Sequence, residues 1–135
     1  EISPEQVLGE ARPGVSFGFV TDSRPTGGLR DLVRGVDLLV SEATFGSDDD
    51  ADKARRRGHM TFREAATLAR DAEVGHLWLT HFSAGMDEPE AWRDNAASVF
   101  PEVTVGRAGL EATLAFDGGY KPTGDRVAEA APDPV

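Results

Sequence analysis

An α/β fold with a largely parallel sheet is the architecture this sequence predicts. Three observations carry it: short apolar runs bounded by turn signals, helical stretches between them, and polar clusters where the apolar runs stop. In sheets of this kind, chemistry gathers in the loops just beyond strand C-termini. The composition, 39% hydrophobic and 28% charged, is that of a globular chain rather than a disordered one.

Residues 1–14 hold two prolines and little periodicity, so they read as an entering segment. Residues 15–20 concentrate apolar side chains and read as a strand. Gly27-Gly28 breaks the chain, 29–34 reads as a short helix, and Gly35 closes it. The run VDLLV at 36–40 is a buried strand, and the charged stretch 52–57 a short helix. Thr61-x-x-Glu64 is a capping box before EAATLARDA: Thr61 caps, and Glu64 reaches back to the cap's own N–H. Gly75 ends that helix, and HLWLT, His76 to Thr80, is the next buried strand. Acids and an early proline at 87–90 start a further helix running to about Val99. Residues 103–105 and 112–116 are the last two strands, and 118–135 read as a disordered tail. The globular region is therefore expected at 15–117.

Several classes are excluded or disfavoured. With no cysteine, neither a disulfide framework nor a thiolate metal site can be built, which fits a reducing cytoplasm. No apolar run is long enough to span a membrane, so no membrane partner is expected. The net charge of −10 repels phosphate backbones, so a nucleic-acid-binding surface would have to lie elsewhere in a larger protein. The chain opens on Glu1 rather than Met, which suggests a piece of something longer. The run Asp48-Asp49-Asp50 reads as a solvated turn, because it lacks the spacing of a calcium loop.

Asp22 follows an apolar strand, where a carboxylate can bridge two divalent cations or simply close an Asx-turn. His81 ends HLWLT, where imidazole can ligate zinc or serve as an ordinary structural residue. Two such ligands fall short of the three or so that a catalytic zinc needs, so spacing alone leaves the matter open. Glu42 closes VDLLV, and His59 lies two residues before the capping Thr61. A carboxylate bonded to one imidazole nitrogen would let such a histidine act as a proton donor. The bland alternative is a helix-entry histidine and a surface glutamate. His76 precedes its strand and reads as structural.

Three segments in register, FVTDSRPTGGLRDLVRGVDLLVSEATF, GHMTFREAATLA and LWLTHFS, resemble the ribonuclease Z family of the metallo-β-lactamase superfamily. The resemblance implies that this chain is the C-terminal half of a metallo-β-lactamase αββα sandwich, with a mixed sheet flanked by helices. It implies Asp22 and His81 as metal ligands, and Glu42 with His59 as the proton-donating pair. It further implies two zinc ions, with manganese as the alternative, and a tRNA precursor as the RNA substrate of the complete enzyme.

The family's His-x-His-x-Asp-His motif is absent and would come from an N-terminal half, in the same chain or as a separate partner. A homodimer is the other way to cover an open sheet. Ala84-Gly85-Met86-Asp87 and Arg107-Ala108-Gly109 depart from the family pattern, which puts the substrate in question. The expectation is a metal-dependent phosphodiesterase or endoribonuclease, incomplete as this chain. The alternatives are another hydrolase of the superfamily, acting on a small phosphodiester or ester, and a non-catalytic half-domain that needs a partner.

Overall fold

The structure, a computed structural model, describes residues 2–125. Strands β1 (Phe17–Val20), β2 (Leu38–Glu42), β3 (His76–Thr80) and β4 (Val103–Val105) form one sheet in that spatial order, every pair parallel. Parallel neighbours need crossover connections, and the helices supply them. They are α2 (Gly27–Leu32), then α3 (Ala51–Arg57) with α4 (Phe62–Asp71), then α5 (Arg93–Ala97). A helical turn α1 (Pro4–Val7) stands in the entering segment. The last two strands, β5 (Leu110–Ala115) and β6 (Gly119–Asp125), pair antiparallel in a sheet of their own. Parallel and antiparallel strands are thus divided between two sheets rather than mixed in one.

Alternation along the strands gives the main sheet two unlike faces. One carries Val20, Leu39, Leu77, Leu79, Val103 and Val105, all buried. They share a core with Phe62, Ala65, Ala66 and Ala69, the apolar stripe of α4. The opposite face carries Phe17 and Phe19, 59% and 63% exposed, in register with Leu38 and with Val40 and Trp78. The β5–β6 hairpin reaches part of this second face. Tyr120 stacks on His76 at 3.6 Å between centroids and meets Trp78 edge-on. His76 Nε2 lies 2.8 Å from Thr104 Oγ1, so this histidine, the first residue of β3, takes part in packing at the opposite end of the strand from the C-terminal edge. One sheet with helices on one side and an open apolar face on the other is the expected half of a sandwich.

Some elements differ from the sequence reading. Strand β2 starts at Leu38: Val36 N–H closes a turn on Val33 O, and Asp37 N–H bonds across to Ser16 O, just ahead of β1. The strand runs on to Glu42, its last residue. The helix expected at 87–99 is split into a 3-10 turn, Pro89–Trp92, and the short α5. Asp48 is not merely solvated: it accepts from Arg63 Nε at 2.6 Å and from Asn95 Nδ2 at 3.2 Å. Residues 119–125 form a strand where a disordered tail was expected. Pro122 and Gly124 are tolerated there because β6 is the edge of a two-stranded ribbon. Residues 126–135, the rest of that expected tail, lie outside the described residues.

Two outcomes follow from this packing. The isolated chain should bind a hydrophobic dye or self-associate through the Phe17/Phe19 face, and Phe17→Ser with Phe19→Ser should weaken both. Light scattering from a strict monomer with no dye uptake would contradict this. Burial pushes the His76 imidazole below its ordinary range, against the attraction of Glu102. The unfolded chain then takes up this proton more readily than the folded one, so the associated stability is present above about pH 6.5 and is lost as pH falls further. Thermal unfolding across that range should show the loss, and His76→Phe should flatten it.

Candidate active site

Four chain segments meet at the C-terminal edge of the main sheet: the turn after β1, the loop after β2, the turn between α3 and α4, and the turn after β3. Their backbones are set by local chemistry. Asp22 and His81 each follow a strand with a left-handed backbone, φ 47° and 59°. Few non-glycine residues adopt that conformation, and it collects at functional sites. The two side chains come close together beyond the strand ends, Asp22 Oδ1 lying 3.7 Å from His81 Nε2. Gly58, with φ 76°, caps α3 and sends the chain directly into His59. The capping box at Thr61 and Glu64 then starts α4, as its sequence signature predicts. A bridge between Phe45 and Thr61 ties the second and third segments together.

Glu42 lies at the centre, fully buried. Its Oε1 accepts from Ser23 N–H at 2.8 Å and contacts His59 Nδ1 at 3.1 Å. Its Oε2 accepts from Thr44 Oγ1 at 2.8 Å and Met60 N–H at 3.1 Å. Every partner can donate, which is the set an ionised carboxylate requires. With Nδ1–H on Glu42, His59 keeps Nε2 for other work.

Thr44 carries the same logic to His81. Its Oγ1 lies 3.2 Å from His81 Nδ1 and equally far from the His81 carbonyl. While the hydroxyl donates to Glu42, it can accept from Nδ1–H, and that tautomer leaves the Nε2 lone pair of His81 free. His81 Nε2 points towards Asp22 Oδ1 at 3.7 Å, and His59 Nδ1 is 3.8 Å from the same oxygen. The other Asp22 oxygen accepts from Thr21 Oγ1 at 3.1 Å.

Asp22, His59 and His81 each offer a ligand atom within 4.8 Å of the others, the one group of this kind among the described residues. A carboxylate and imidazole nitrogens at this spacing are a donor set that fits zinc or a similar divalent ion. The four residues picked out in the sequence, Asp22, Glu42, His59 and His81, are thus brought together. His76 is not among them. Sequence reasoning missed Thr44, although it sits two residues beyond Glu42 at the same strand end. It also missed the pairing of Arg24 with Glu64, which are 40 positions apart. The Arg24 guanidinium grips both Glu64 oxygens and reaches the His59 carbonyl.

Residues 7–82 match the family described as beta-lactamase superfamily domain. The chain is 46% identical to a ribonuclease Z of Clostridium botulinum over 114 residues, 84% of this chain and 36% of that protein. It is 44% identical to the ribonuclease Z of Clostridioides difficile over 117 residues, 87% of this chain and 38% of that protein. Among solved structures, the metallo-beta-lactamase fold protein YhfI of Bacillus subtilis superposes with a TM-score of 0.61 at 30% identity, covering 68% of this chain and 37% of its own. This chain therefore spans little more than a third of the length of the curated relatives it matches. The match over residues 7–82 exceeds half the chain, so the chain belongs to the β-lactamase superfamily, has the metallo-β-lactamase fold, and resembles ribonuclease Z within it.

Proposed function

We propose that this chain is the C-terminal part of a zinc-dependent phosphodiesterase of the ribonuclease Z type, acting on the 3′ ends of tRNA precursors in the cytoplasm. The observation that carries this reading is the convergence of Asp22, His81 and the Glu42–His59 pair on one edge of the sheet. The remaining metal ligands, and the basic surface that the net charge of −10 denies this chain, come from the N-terminal half.

In this reading Asp22 and His81 would hold metal; their nearest donor atoms, Asp22 Oδ1 and His81 Nε2, lie 3.7 Å apart. Divalent cations held there would supply positive charge to the phosphoryl oxygens and lower the cost of deprotonating water. His59 then acts as general acid. Glu42 holds Nδ1–H, so the proton that reaches the leaving 3′ oxygen departs from Nε2. Glu42 also stabilises the imidazolium before transfer, as the buried carboxylate does in other acid–base pairs. Thr44 keeps His81 in the tautomer whose Nε2 is a ligand.

The experiment compares two variants of the full-length protein. His81→Ala should lower metal content. His59→Ala should keep metal yet slow cleavage of tRNA precursor by roughly 10²–10⁴-fold. Its loss on bis(p-nitrophenyl) phosphate should be much smaller, because that leaving group needs no proton. Equal losses on both substrates, with metal retained, would make His59 structural. Turnover of small phosphodiesters without any on tRNA precursor would instead favour a superfamily hydrolase of different specificity, the direction in which Ala84-Gly85-Met86-Asp87 departs from the family pattern.

A further inference from the structure

The Asp22 turn has few anchors. Ser23 Oγ closes it on Thr21 O at 2.8 Å, and Ser23 N–H ties it to Glu42. Asp22 itself is exposed and sits in a left-handed conformation. Arg24, two residues on, supplies a second link. Arg24 Nη1 donates to the His59 carbonyl at 2.5 Å and to Glu64 Oε2 at 2.7 Å, while Nη2 donates to Glu64 Oε1 at 2.5 Å. Glu64 Oε2 also receives Thr61 N–H, so the arginine is seated on the cap of α4, the helix that begins just after His59.

We propose that Arg24, seated on Glu64, is a positioning residue that sets the Asp22 turn against His59, so that metal ligand and proton donor keep one relative placement. The inference rests on the functional reading above. The guanidinium is turned away from substrate work: both terminal nitrogens are committed to Glu64 and His59 O, and its side chain is only 24% exposed. A planar fork suits this task, because it grips a carboxylate at two points while one nitrogen reaches a carbonyl; a lysine has no such fork. The pairing also resists acid. The Glu64 bond raises the Arg24 pKa, and although burial pushes the Glu64 carboxyl up, Arg24 and Thr61 N–H together hold it below its ordinary value.

The test uses the full-length, zinc-loaded protein with Arg24→Met, Glu64→Gln and both together. Glutamine still completes a capping box, so Glu64→Gln removes the charged fork while sparing the helix start. Each single variant should lower kcat on tRNA precursor by roughly 10–10²-fold, with KM within about twofold. The double variant should be no slower than Arg24→Met alone, because the two residues act as one unit. Hydrogen exchange should quicken at the Met60 amide in both single variants and stay unchanged at Leu77. A raised KM in Arg24→Met with Glu64→Gln silent would show that Arg24 binds substrate directly, and multiplying losses would show independent roles; either overturns the proposal. If the unaltered protein lacks phosphodiesterase activity, the functional reading falls, while unchanged Met60 exchange in both variants would separately overturn the positioning role of Arg24.

Discussion

The Glu42 carboxylate is the interaction on which the rest of the site depends. Burying a charge costs several kcal/mol by general estimates, and the cost is offset only where hydrogen bonds and opposite charge surround it. Around Glu42 the partners come from three other places in the chain: Ser23 from the turn after β1, Thr44 from the loop after β2, and His59 with Met60 from the entry to α4. Satisfying one buried group therefore fixes several loops at once. Thr44 extends the arrangement to His81 on β3. The same contacts that make the burial tolerable also choose which nitrogen of each histidine is free.

The sheet explains why such a hub can exist. In a parallel sheet all strands end on the same edge, and here the ends of β1, β2 and β3 deliver Asp22, Glu42 and His81 side by side. The left-handed backbones of Asp22 and His81 put local strain at the candidate metal ligands themselves. Helix α4 contributes twice. Its apolar face closes the core, and its capped N-terminus presents Met60 and His59 to Glu42. Stability and chemistry thus share one element, and loss of the Thr61 cap is felt by both.

Much of this was legible in the sequence, for identifiable reasons. The capping box at Thr61 is a local signature, and the structure contains it in full. The strands HLWLT and VDLLV were readable because buried parallel strands are short continuous apolar runs. Asp22, Glu42, His59 and His81 could be named because each sits beside a strand end or helix start within motifs that resemble one family. The pairing of Arg24 with Glu64 had no local signal, since only the tertiary fold brings residues 40 apart together. Strand β6 was unreadable for a different reason. Its proline and glycines match the composition of a tail, and it is ordered through Tyr120 packing on His76 rather than through its own propensity.

The proposed function rests on a division of labour in which Asp22 and His81 would hold metal, while Glu42 keeps His59 for proton transfer. A crystal structure of the full-length protein, with zinc located by anomalous scattering, tests it most directly. Zinc should lie on the Asp22 carboxylate and on His81 Nε2, with His59 Nδ1 still bonded to Glu42 and its Nε2 free of metal. Zinc bound directly to a nitrogen of His59, or its absence from both Asp22 and His81, would contradict it.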